Sequence, residues 1–96
     1  MAVLNREAFS ERLKGLPEWT QAGKAIQRKY TFKTFVSAIA FVNELADAAE
    51  KAGHHPDITI NYNEVGISLS THSEGGVTEK DLALARQTEE IATRHE

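Results

Sequence analysis

Two short runs of alternating residues constrain this chain more than any other feature. Ile58, Ile60 and Tyr62 alternate with Thr59 and Asn61, and Val65, Ile67 and Leu69 alternate with Gly66, Ser68 and Ser70. A period of two is that of a half-buried strand, so the spacing predicts two strands joined near Asn63-Glu64. Pairing Tyr62 with Val65 sets Ile60 against Ile67 and Ile58 against Leu69, apolar opposite apolar throughout. A one-residue slip would turn a whole apolar set to water. The opposite face, with Thr59, Asn61, Gly66, Ser68 and Ser70, is small and polar, and suits an open face or a ligand floor. Carried past Pro56, the same register sets His55 near His72. It places His54, His55 and His72 at one end of the hairpin.

The remaining pattern fits around that hairpin. Asn5 can cap a short first helix bearing Ala8, Phe9 and Leu13, ended by Gly15-Leu16-Pro17. The chain then runs past Trp19 to a break at Gly23. Ala25 to Phe32, with Ile26, Tyr30 and Phe32 in phase, reads as a strand. After a cap at Thr31 or Thr34 comes the longest helix, ended by Gly53 as a left-handed cap. It carries two apolar stripes: Phe35, Val36, Ile39, Val42, Ala46 and Ala49, then Phe41, Leu45, Ala48 and Ala52. One stripe can pack on the sheet; the other, with Phe41 and Leu45, can serve an oligomer interface. Gly75-Gly76 leads to Thr78-Glu79-Lys80-Asp81, which resembles a capping box with Asp in the glutamate's place. A last helix follows, with Leu82, Ala85, Thr88 and Ile91 or Ala92 inward. The order α-β-β-α-β-β-α predicts an α+β fold, an antiparallel sheet with helices on one face.

Composition narrows the function. Ninety-six residues, 41% hydrophobic and 26% charged, indicate one ordinary globular domain over residues 1–96. A net charge of −3 provides no footprint for nucleic acid. With no cysteine there is no disulfide and no thiolate ligand or nucleophile. The start, Met1 to Glu7, has no secretory h-region, and no apolar run reaches membrane-spanning length. The expected location is therefore cytoplasmic.

Three of the four histidines fall between positions 54 and 72. Imidazole gives and takes protons near neutral pH. His54 and His55 point to opposite sides of extended chain, and Pro56 biases His55 toward that conformation. With His72 from beyond the last strand, two or three imidazoles can line one pocket, one protonating a leaving oxygen while another removes a proton. Glu50, in the last turn before Gly53, can orient an imidazole or accept a ligand's N–H. Three-histidine metal ligation is chemically possible, although neither H-E-x-x-H nor a close His-x-His pair is present. A solvated histidine loop is the plain alternative. Taken singly, Trp19 reads as core or interface, Glu50 as a solvated charge, and Thr78 and Asp81 as a helix cap.

Glu50-Lys51-Ala52-Gly53-His54-His55-Pro56-Asp57, Tyr62-Asn63-Glu64-Val65, Leu69-Ser70-Thr71-His72, Gly76-Val77-Thr78 and Asp81 together resemble the pterin-4a-carbinolamine dehydratase family. The resemblance continues upstream through Trp19 and Ile26 to Phe32. It implies a four-stranded antiparallel sheet with three helices on one side. It implies dehydration of 4a-hydroxytetrahydropterin to quinonoid dihydropterin without metal or organic cofactor, recycling the pterin of an aromatic amino-acid hydroxylase. Within it, His54 and His72 match the acid–base residues, and His55 the histidine that positions the pterin. Glu50 matches a carboxylate near the ring. Ser70 and Thr71 fall in the pterin-contacting stretch, and Trp19 and Asp81 match positions lining or supporting the site. A homodimer or homotetramer is expected. Two departures concern the pocket walls: Ile58 stands where animal members carry an aromatic residue, and Gly53 replaces a polar residue. Animal members also bind a homeodomain transcription factor, a role nothing in this sequence carries over. A non-catalytic binding or dimerisation module of the same fold is the rival reading.

Overall fold

The computed structural model describes residues 3–96; Met1 and Ala2, part of the start read above for a secretory signal, lie outside the described residues. The elements run α1 (Arg6–Leu13), β1 (Thr20–Ala22), β2 (Ala25–Thr31), α2 (Phe35–Ala52), β3 (Asp57–Asn61), β4 (Glu64–Leu69), a single 3₁₀ turn (His72–Glu74) and α3 (Glu79–Thr93). The four strands form one antiparallel sheet in the order β1-β2-β4-β3. The fold is α+β with the element order expected from the pattern. No described helix is long and apolar enough to cross a membrane.

One face of the sheet is buried. Ile26, Tyr30, Val65, Ile67 and Leu69 are all at most 5% exposed, while their alternates Gln27, Lys29, Gly66 and Ser68 face outward. Phe41 of α2 sits with its ring centroid 5.2 Å from Tyr30 and 4.9 Å from that of Phe32, beyond the end of β2. From α3, Leu82, Leu84, Ala85, Thr88, Ile91 and Ala92 are buried, so the inward face read from the sequence is the inward face of the molecule. Each large apolar side chain withdrawn from water in this way contributes about 1.5–3 kcal/mol before the entropy of ordering it is counted.

Two expectations are corrected. The β3–β4 register is shifted by two residues: Ile60 pairs with Val65 and Ile58 with Ile67. The cause is Tyr62, which leaves the strand with φ 54 and forms the turn with Asn63. Asn63 is committed elsewhere, its Nδ2 donating to Phe32 O at 2.7 Å and its carbonyl accepting from Phe32 N at 2.9 Å. The left-handed position therefore falls to Tyr62. A shift of two preserves the facing of every side chain, but it moves the extrapolated partner of His55 from His72 to Ser70. The second correction concerns α2. Phe41 and Leu45 are 0% exposed within one chain, so they belong to its core and not to an interface. The apolar residues that α2 leaves in the open are Phe35 and Val36, at 50% and 75% exposure.

The open face of the sheet holds a shallow hollow of about 440 Å³ lined by Thr20, Gln27, Lys29, Thr59, Gly66 and Ser68. No histidine lines it.

Candidate active site

The site starts at the end of α2. Gly53 adopts φ 64, ψ 29 and closes the helix, its N–H bonding Glu50 O at 3.1 Å while His54 N bonds Ala49 O at 3.1 Å. A left-handed residue costs glycine least, which is why the chain turns there and presents His54 at a fixed angle. The His54 ring is turned inward: its side chain is only 11% exposed, and Nε2 lies 2.5 Å from Oδ1 of the fully buried Asp81.

Asp81 is the third residue of α3, where backbone N–H groups and the helix dipole favour a carboxylate. Its Oδ2 accepts from Thr78 N at 2.8 Å, completing the capping box, and from Thr71 Oγ1 at 2.8 Å. The hydroxyls of Thr71 and Thr78 are themselves 2.8 Å apart, and Lys80 N donates to Thr78 Oγ1 at 3.3 Å. Thr71, Thr78 and Asp81 are at most 6% exposed. All three elements around the corner, α2's end, β4's exit and α3's start, therefore meet in one hydrogen-bonded group. Nδ1 of His54 has no hydrogen-bond partner among the described residues, and no buried side-chain nitrogen or oxygen there is left unpaired. That nitrogen therefore opens to solvent.

A second pair lies beside the first. His55 Nε2 is 2.7 Å from Glu50 Oε1, with side chains 63% and 76% exposed. Glu50 thus orients an imidazole, one of the two uses the sequence allowed it. His55 faces away from the buried group that holds His54, as adjacent extended residues must. His72 opens the 3₁₀ turn, exposed and without a side-chain hydrogen bond among the described residues, next to Thr71. The turn is pinned by Thr71, whose N–H bonds Gly76 O at 2.8 Å and whose carbonyl accepts from Glu74 N at 2.9 Å. Ser70 is half-buried just before it.

Of the predicted site residues, His54, Thr71 and Asp81 share the buried group, and Glu50 and His55 form the exposed pair at the same corner. Ser70 and His72 flank it through the chain. Trp19 is not part of it. The indole is 3% exposed and its Nε1 donates to Glu89 Oε1 at 2.8 Å, two turns further along α3 than Asp81, or about 12 Å at 1.5 Å per residue. Trp19 belongs to a different cluster: Arg28 Nη1 and Tyr30 OH donate to the same oxygen of Glu89, and the guanidinium lies 4.1 Å over the Tyr30 ring. Burial opposes the charge on Arg28, but the Glu89 bond together with the charges of Tyr30, Glu89 and Glu18 outweighs it and its pKa is raised. Burial, then Glu89, pushes the Tyr30 phenol up. Sequence reading missed this cluster, and it gave Thr78 only a capping role. Asp81 had a visible signal, the capping-box spacing, but not its second partner 27 residues away. Among the described residues, no group of three histidine, aspartate or glutamate side chains is arranged to hold a metal ion.

With this geometry established, comparison with known proteins is decisive. The model of the family described as pterin 4 alpha carbinolamine dehydratase matches residues 2–91. The chain belongs to this family. A relative from Thermomicrobium roseum carrying the family's name is 50% identical over 93 residues, covering 97% of this chain and all of that protein. One from Nocardia farcinica is 48% identical over 90 residues, covering 94% and 95%. A crystal structure described as a transcriptional coactivator/pterin dehydratase from Brucella melitensis superposes with a TM-score of 0.91 at 40% identity, covering 94% of this chain and 98% of that one. A pterin dehydratase-like protein identified as a RuBisCO assembly factor in the alpha-carboxysome shares the fold, with a TM-score of 0.65 at 23% identity over 77% of this chain and 86% of that one. The sequence's α+β dehydratase fold is thus the fold of the family.

Proposed function

We propose that this chain, one domain over residues 1–96, dehydrates 4a-hydroxytetrahydropterin to quinonoid dihydropterin and water by histidine acid–base catalysis. The observation that carries this reading is the His54–Asp81 pair: an imidazole anchored through Nε2 on a buried carboxylate, with Nδ1 open. The C4a hydroxyl leaves poorly until it is protonated. One histidine of His54 and His72 supplies that proton and the C–O bond breaks to release water. The other takes a proton from the ring nitrogen as the C=N bond forms. His55, held by Glu50, positions the pterin, with Ser70 beside it. In this reading the protein acts in the cytoplasm as a homo-oligomer, recycling the pterin of an aromatic amino-acid hydroxylase.

The test is the decay of the 4a-hydroxypterin absorbance. The purified chain should accelerate it, and the double variant His54→Ala, His72→Ala should lose about 10²–10⁴-fold of that acceleration. An unchanged rate in the double variant would remove the acid–base assignment. A second reading, a binding module without turnover, is favoured by the exposed Phe35 and Val36 and by the coactivator description of the Brucella melitensis structure. Capture of a partner that Val36→Ser abolishes, in a protein without dehydratase activity, would favour it.

A further inference from the structure

The two threonines behind Asp81 do more than fill space. Thr71 has one hydroxyl proton, and it is donated to Asp81 Oδ2. Thr71 Oγ1 must then accept from Thr78 Oγ1 across their 2.8 Å contact, and Thr78 Oγ1 in turn accepts from Lys80 N. Every proton in this chain of bonds points toward Asp81. With Thr78 N also donating to Oδ2, that oxygen is saturated, and only Oδ1 remains to meet His54. A carboxylate accepts and an imidazole nitrogen facing it must donate, which fixes the ring in one tautomer.

We infer that Thr71 is a positioning residue, and that its hydroxyl, with that of Thr78, locks Asp81 so that His54 is held as the Nε2–H tautomer with Nδ1 free as the proton-transfer atom. The family resemblance places Thr71 among the pterin contacts. Its burial and the use of its only hydroxyl proton inside the protein argue for a role exercised through Asp81. The turnover consequence rests on the dehydratase reading; the tautomer does not.

The test is long-range ¹⁵N–¹H correlation on uniformly labelled protein, with the His54 signals assigned by their loss in His54→Gln. At a pH where the ring is neutral, the wild-type protein should show His54 as Nε2–H. Thr71→Val, which keeps the shape and removes the hydroxyl, should give a mixture of tautomers, and Thr71→Ser should restore the single one. Asp81→Asn should shift the ring toward Nδ1–H. On pterin, Thr71→Val should lower kcat about tenfold, as expected for losing a hydrogen bond to a charged group, with KM unchanged and with rescue by Thr71→Ser. A wild-type ring found as Nδ1–H overturns the proposal, as does an unaltered tautomer in Thr71→Val. A raised KM with kcat retained would return Thr71 to substrate contact. If Thr71→Val does not fold, the wild-type tautomer and a slowly exchanging Thr71 hydroxyl proton still decide the matter. A wild-type protein that shows the predicted tautomer but no turnover refutes the dehydratase reading alone.

Discussion

Helix α3 carries two carboxylates that are held in similar ways and lead to different outcomes. Asp81 and Glu89 each receive donors from elements far away in sequence: His54 and Thr71 in one case, Trp19, Arg28 and Tyr30 in the other. Around Glu89 every donor is permanent. The phenol and the guanidinium are both pushed further from titrating, so the cluster can only tie α3 to β2 and to the loop before β1. Around Asp81 one donor is an imidazole with a second nitrogen open to solvent. The same kind of anchorage therefore gives a rivet toward one end of the helix and, at the other, an oriented imidazole to which the proposed function assigns proton transfer. What distinguishes them is the chemistry of the partner, not the burial of the carboxylate alone.

The contrast can be tested by removing each carboxylate in turn. Asp81→Ala should have the largest effect, a loss of turnover of about 10²-fold or more together with a loss of stability, because it frees both the imidazole and two buried donors. Steady-state kinetics alongside thermal denaturation would measure both. Glu89→Ala should cost about 3 kcal/mol in denaturant unfolding by leaving Arg28, Tyr30 and Trp19 without their acceptor. Its kcat should stay within about a factor of three, since the two sites share no partner. A large kcat loss there would mean that the rivet is also part of the site.

Glu44 makes the third and smallest comparison, an exposed carboxylate on α2 bonded to Arg94 and His95. Arg94 first, then His95, lowers its pKa. A lowered folded pKa contributes stability above the ordinary carboxylate range and loses it as pH falls through the folded value. Urea midpoints of the wild-type protein and Glu44→Gln should therefore differ slightly at neutral pH and converge in acid. A gap that persists in acid would show that the pair acts through packing.

Much of this architecture was legible because it depends on local rules. Gly53 closing α2, Asn5 and Thr78 capping their helices, and the inward face of α3 each follow from residues a few positions apart. The phase of the hairpin was legible for the same reason, but its register was not, because a single Tyr62 taking a left-handed conformation is decided by what Asn63 does with Phe32 on another strand. The second stripe of α2 looked like an interface because a sequence does not show which stripe the fold will bury; Phe41 of this one packs on Tyr30 and Phe32. At the site, the histidines announced themselves. The pairing of His54 with Asp81, and the removal of Trp19 to Glu89, arise only when three elements pack together.

Thr71 also closes the neck of the segment that follows it, through its bridge to Gly76. Residues 72 to 75 form a cassette whose two ends are fixed, with Glu74 N and Gly75 N both donating to the backbone carbonyl of Thr71 and leaving its hydroxyl to Asp81. Residues 73 to 75 of such a loop can be exchanged while His72 keeps its place at the neck and the His54–Asp81 pair behind it stays intact. In the proposed dehydratase reading, residues 73 to 75 are thus the natural positions at which to change substrate preference by design, with both His54 and His72 kept.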